Sequence, residues 1–145
     1  MHKGFYASGF LYHPRSQQIL LQQKNPADEN SFWSLFGEKA IKDKTGEETF
    51  RDIFYEELSI KLKLHNINSV YTYSSKEKGT NHNIYYAKVQ RLHKSSSSTK
   101  TRFAWFNFKQ VQKLNLSEQT KRDIIVGQRV IDSSIRKGQG LRTIG

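Results

Sequence analysis

Residues 50–60 read Phe-Arg-Asp-Ile-Phe-Tyr-Glu-Glu-Leu-Ser-Ile, and no other run constrains the chain as strongly. At about 100° per residue, Phe50, Ile53, Phe54 and Leu58 form one apolar stripe of a helix. Such a helix draws its stability from packing that stripe against a partner surface, so the run requires a core. Two adjacent carboxylates complicate the pattern. Glu57 falls between Ile53 and Phe54 on the wheel and close to Phe50, whereas Glu56 lies toward the polar flank. A carboxylate beside a core-facing stripe is costly unless it is paired, protonated or bound to a metal. The plainer reading makes both ordinary acids of an amphipathic helix, with Glu57 paired to a lysine such as Lys61. It fits Glu56 well and Glu57 poorly.

The helix has a legible start. Thr45-Gly46-Glu47-Glu48 offers an entry with acidic residues in the first turn, where the positive end of the helix dipole favours them. The helix is expected to run to about Leu58. Upstream, Tyr6–Tyr12 and Gln18–Gln22 read as a strand pair joined by the turn-forming His13-Pro-Arg-Ser-Gln17. Residues 24–30 form a polar loop, Ser31–Leu35 suits a short strand, and Gly37–Gly46 reads as a loop. Downstream, Ser69–Tyr73, Asn83–Val89 and Phe103–Phe108 are rich in β-branched and aromatic residues. Between the last two, Ser95–Ser98 sits among basic residues in a segment that reads as a mobile loop. A short helix is expected over Phe108–Leu114. A closing helix is expected from an N-cap at Ser117 to about Arg136, with 138–145 a flexible tail. One domain spanning 1–137 follows.

With 145 residues, the chain suffices for one domain with a real core. Its 35% apolar and 12% aromatic content suits a globular protein. No apolar run approaches the roughly 20 residues that cross a bilayer, and the first residues lack a signal-peptide cleavage pattern. The absence of cysteine removes disulfide and thiolate chemistry. A soluble, cytoplasmic domain is expected, with no membrane partner and its oligomeric state left open. The net charge of +11 is uneven. Residues 1–87 carry 11 Lys/Arg against 10 Asp/Glu, whereas 88–145 carry 13 against 3. This basic C-terminal half reads either as a surface for phosphates or nucleic acid, or as a device for solubility.

Taken with Trp33-Ser-Leu-Phe-Gly-Glu-Lys39, the 50–60 run resembles a Nudix box, the loop–helix signature of enzymes that cleave nucleoside diphosphate-linked compounds with Mg²⁺. With Glu56 and Glu57 on the family's carboxylate pair, the remaining positions follow without a gap. Phe54 and Ile60 take the two bulky positions. Five others differ: Glu38 and Ser59 stand where the family has glycines, and Lys44 and Ile53 where it has glutamates. Asp52 stands in place of the arginine. A second frame sets Gly37 on the first glycine and Arg51-Asp52 on the Arg-Glu pair. It fits less well, because it abandons the Glu-Glu-Leu-Ser-Ile ending.

The resemblance implies an α+β fold, a Nudix-like α/β/α sandwich with a mixed β-sheet between helices. The order of elements agrees, and Trp105-Phe106 with Leu114-Asn-Leu-Ser117 is similar to the family's usual ending. It also implies a Mg²⁺- or Mn²⁺-dependent hydrolase of a nucleotide-type phosphoanhydride, weak because the box is degenerate. The alternative is a silent module binding nucleotide or nucleic acid through the basic half. The implied metal ligands are Glu56 and Glu57, two of the family's three. Asp52 joins them as a catalytic candidate, either as a substitute ligand or as one half of an ion pair with Lys44 whose sign is reversed. Gly37, Glu38, Lys39 and Arg51 are the candidates for contacting substrate, and Glu38 either repels a pyrophosphate or adds a metal ligand. His82 and Glu77 are candidate bases between strands, or solvated loop residues. Phe5, Trp33, Tyr73, Tyr85 and Trp105 can stack a base or fill the core.

Overall fold

Alternating apolar positions in the first hairpin feed two opposite faces, and both faces are covered. The computed structural model describes residues 4–28, 30–41, 43–75, 79–93, 96–97 and 100–144. Strands β1 (Phe5–His13), β2 (Gln18–Lys24), β3 (Trp33–Ser34) and β4 (Phe36–Lys39) precede helix α1 (Gly46–Leu58). After a short 3₁₀ turn at Leu64–Asn66 come β5 (Ile67–Ser74), β6 (Asn81–Lys88), β7 (Ser96–Ser97) and β8 (Thr101–Asn107). Helices α2 (Phe108–Val111) and α3 (Glu118–Ile144) close the chain.

The strands form one sheet in the order β5-β6-β1-β2-β8-β7. β1 and β6 run parallel, from Phe5 opposite Asn81 to Tyr12 opposite Lys88, and the other pairs are antiparallel, so the sheet is mixed. The first hairpin is paired only near its turn, from His13↔Gln18 to Leu11↔Leu20. Beyond that the two strands separate. β4 takes up the free half of β1, with Ala7 opposite Glu38, and β3 pairs the far end of β2. The Trp33–Lys39 segment is thereby wedged into the sheet, and Gly37–Lys39 is strand rather than the loop expected there.

Because side chains alternate across a strand, Ala7, Leu11 and Leu20 face one side, and Phe10, Tyr12, Ile19 and Leu21 the other. The first set packs with Phe50, Ile53 and Phe54 of α1. The second packs with Val111, Ile124 and Ile131 of α2 and α3. The sheet therefore lies between helices, as an α/β/α sandwich. Each fully buried side chain of this size contributes about 1.5–3 kcal/mol relative to leaving it in water, and Phe50, Ile53 and Phe54 are 0–2% exposed.

Close approach fixes the packing of α1. A Cβ on Gly9 would sit 1.9 Å from the Tyr85 carbonyl oxygen and 2.7 Å from the Phe50 ring. β1 therefore needs a glycine where β6 and the helix press on it. The start of α1 is as the sequence implies: Thr45 Oγ1 accepts from the Glu48 N–H, and Glu48 Oε1 accepts from the Thr45 N–H, both at 3.1 Å. The closing helix is capped by Ser117, whose Oγ accepts from the Thr120 N–H, but it continues to Ile144 rather than ending near Arg136. No helix among the described residues is long and apolar enough to cross a membrane.

Candidate functional site

β4 and the second half of α1 bring carboxylates together. Glu38 pairs in register with Ala7, and paired residues share a face, so Glu38 lies on the α1 side of the sheet. There it meets the field of the helix. Partial desolvation, then the charges of Glu56 and Glu57, push the Glu38 carboxyl above its ordinary value, and Lys24 pulls it part of the way back. Asp52 adds a smaller push in the same direction. Four acidic residues thus act on one region. Among the described residues no three carboxylate or imidazole groups close on a single point. The cluster is an acidic rim, not a closed cage.

Glu57 does not sit where the helical wheel puts it. It is exposed, as is Glu56, although Phe50, Ile53 and Phe54 around it on the wheel are buried. Leu58, in the last turn, packs half-buried against the core, so the partner surface covers only part of that turn and leaves Glu57 in solvent. A wheel assigns direction around the axis and cannot say where along the axis the partner surface stops. Exposure removes the desolvation cost that a buried carboxylate would incur, and no pairing with Lys61 is needed to explain it.

Asp52 is committed elsewhere. Lys44 Nζ donates to one of its oxygens, and Arg51 Nε donates to the other at 3.2 Å. The Lys44 hydrogen bond, more than any other contact, holds the Asp52 carboxyl below its ordinary range. Lys44 is raised in turn, first by the same bond. The expected pairing of Lys44 with Asp52 is thus present between the loop and the helix.

The remaining candidates separate by face. Gly37 pairs with Ser8 and Lys39 with Tyr6, both on the α3 side of β1. The Glu38 side chain is therefore turned away from its two neighbours, and Gly37, Glu38 and Lys39 do not line one site. A Cβ on Gly37 would lie 2.3 Å from Ser8 Oγ, so the glycine is required by packing. Ser59, at the family's second glycine, adopts φ 56° and ψ 30°, the left-handed conformation that glycine favours. Its N–H closes the end of α1 on the Tyr55 carbonyl at 3.0 Å.

His82 is on β6, not in a loop, and stacks between Tyr73 at 4.7 Å and Tyr6 at 5.2 Å on the face opposite Glu38. Glu77 lies outside the described residues. Trp33 is buried edge-on against Phe106, and Tyr85 is buried with its ring tilted against Phe50, so both fill the core. Trp105 spends its indole N–H on the His93 carbonyl at 2.7 Å. The sequence reading missed Lys24, assigned to a loop. It ends β2, and the alternation Leu20, Gln22, Lys24 carries it to the α1 side, where it faces Glu38. Extending the period-two pattern past Gln22 would have found it.

No protein-family model matches the chain. No curated protein matches it in sequence. Solved structures do. The NUDIX domain of Shewanella oneidensis NrtR, complexed with ADP ribose, superposes with a TM-score of 0.69 at 14% identity over 90% of each chain. The chain has a Nudix fold. A mutT/nudix family protein from Listeria innocua gives a TM-score of 0.66 at 12% identity, covering 97% of this chain and 99% of that one. A NUDIX hydrolase from Nitrosomonas europaea gives 0.60 at 12% identity, over 88% and 90%. Agreement over nearly whole chains at so little identity is an agreement of fold, carried by packing rather than by shared residues.

Proposed function

We propose that this Nudix-fold protein is a weak phosphoanhydride hydrolase acting on a nucleotide-type compound with Mg²⁺ or Mn²⁺. The observation that carries the reading is the electrostatic convergence of Glu38 on Glu56 and Glu57. Mg²⁺ keeps several waters and needs only one or two protein carboxylates, so an open acidic rim fits a hydrated ion where a closed cage is absent. Glu56 and Glu57 would hold it, and it would screen phosphate charge and acidify a bound water. Position 53 adds no carboxylate, since Ile53 is packed in the core. Glu38 supplies the third one from the neighbouring strand. Asp52, with Lys44 and Arg51, is given a positioning part: it ties the loop before α1 to the helix. Lys24 restrains the Glu38 carboxylate and offers a cation to substrate phosphates. The ADP ribose held by the Shewanella domain supports a nucleotide-type ligand here.

A metal titration followed by NMR tests this. Millimolar Mg²⁺ or Mn²⁺ is expected to move resonances of residues 38 and 52–60, and Glu57→Gln or Glu38→Gln to abolish the shifts. Unmoved resonances would leave the second reading, a catalytically silent Nudix-fold module, which the buried Ile53 favours.

A further inference from the structure

A broad concavity among the described residues lies away from the carboxylates. It is a groove of about 1190 Å³ at the other end of β1, bounded by the first hairpin turn, the segment after α1 and the end of β6. Arg15, Lys61, Lys63, Lys88 and Arg91 line it, together with His65 and His93, and no aspartate or glutamate does. All five Lys/Arg side chains are exposed, and no ion pair among the described residues engages any of them. Ile60, Leu62 and Val89, each under a tenth exposed, alternate with these cations and anchor the backbone that carries them.

The charge is assembled by the fold. Arg15, Lys61 and Lys63 come from the half of the chain that is nearly neutral overall, and Lys88 and Arg91 from the basic half. Like charges drawn together from three segments repel one another, so the arrangement is unfavourable until an anion enters. Small-molecule pockets are mostly apolar and about 300–1000 Å³; this groove is larger, open and cationic. Five cations contributed by three segments suit a repeating anion rather than a single phosphate.

We propose that this groove binds the phosphodiester backbone of a nucleic acid, at a site separate from the carboxylate rim and independent of the hydrolase reading. The lining carries no Phe, Tyr or Trp and five Lys/Arg, so contacts to the backbone phosphates dominate and binding is only weakly dependent on sequence. Five cations set the upper bound on phosphates neutralised. The slope of log K against log salt is therefore expected to reach at most about −3.5 on a single strand or about −4.5 on a duplex.

Fluorescence anisotropy with a labelled mixed-sequence RNA strand, the matching DNA strand and their duplexes tests the proposal on the full chain. Binding is expected at low salt, with that slope. The triple variant Lys61→Glu/Lys88→Glu/Arg91→Glu should lose at least about tenfold in affinity, since each neutralised phosphate is a separate contribution. Lys121→Glu/Arg129→Glu/Arg136→Glu, the same charge change made on α3, should bind nearly as the parent does. Circular dichroism checks that both variants are folded. Equal losses in the two variants, or no binding at low salt, would overturn the proposal. So would equally tight binding of a polyglutamate of matched charge, which would place an acidic peptide in the groove instead. The four nucleic-acid arms decide which backbone form fits it best.

Discussion

The ammonium of Lys44 donates to the carboxylate of Asp52, joining the loop before α1 to the second turn of the helix. Arg51 supports the same carboxylate from the adjacent position.

Lys44→Glu alone or Asp52→Arg alone should lower the melting temperature, because each sets like charges against one another. The double exchange should recover most of the loss. Thermal denaturation of the four proteins reads the coupling directly. The pair also has a pH signature. The folded-state value of Asp52 is depressed, so its stabilisation is present above the ordinary carboxylate range and is lost as pH falls through the folded value. The double exchange should shift that acid limb. A double variant no more stable than the weaker single would mean that the pair contributes nothing.

Asp123 behaves in the opposite sense. It is 4% exposed on α3 and accepts from the Tyr71 hydroxyl at 2.5 Å and from Gln119 Nε2 at 2.9 Å. Burial raises its carboxyl despite both donors. Between the ordinary carboxylate value and that raised one, the folded state holds more protons than the unfolded state, so stability falls as pH rises through this window. Asp123→Asn should flatten the slope in denaturation experiments run across acid to neutral pH. Tyr71→Phe removes one donor from a buried charge and should cost about 1.5–3 kcal/mol at neutral pH.

Ser59→Gly should stabilise the protein. A left-handed residue other than glycine costs roughly 1–2 kcal/mol, and the greater freedom of glycine in the unfolded chain returns part of that. A net gain of up to about 1 kcal/mol, or about 2–4 °C in melting temperature for a domain of this size, is expected. An unchanged or lower melting temperature would mean that the serine side chain makes a compensating contact.

Ile53→Glu tests whether the missing third carboxylate can be restored at the family's position. Because Ile53 is 2% exposed in the core, the charge should destabilise the protein by several kcal/mol in the absence of metal. Lys44→Glu, Asp52→Arg and Glu38→Gly, added together, place the family's residues at those positions and remove the Glu38 carboxylate from the rim. If position 53 can turn toward the rim, the folded quadruple variant should recover stability on adding Mg²⁺ and hydrolyse a nucleoside triphosphate roughly tenfold faster than the natural chain, a gain of about 1.4 kcal/mol in the barrier. A variant that stays unfolded at all metal concentrations would show that the core holds position 53 inward. Glu38 would then be the available third carboxylate.

The sequence by itself determined the parts whose information is local. The Thr45–Glu48 capping box fixed the start of α1, and the stripe of Phe50, Ile53 and Phe54 fixed the face it buries, because both depend on spacings within a few residues. The frame of the box, matched in order, also led to the fold. Only the tertiary structure decided where each element stops meeting its partner. Glu57 is exposed because only part of the last turn, at Leu58, meets the core, and Gly37–Lys39 is strand because the first hairpin splays and leaves half of β1 unpaired. That pairing turns Glu38 toward Glu56 and Glu57 and its two neighbours away. It also brings β2 around so that Lys24 faces Glu38. The groove drew cations from both halves of the chain, which a count along the sequence had set apart as neutral and basic. Electrostatic convergence is a property of distances through space, and a linear order of residues carries no such distances until the sheet register sets them.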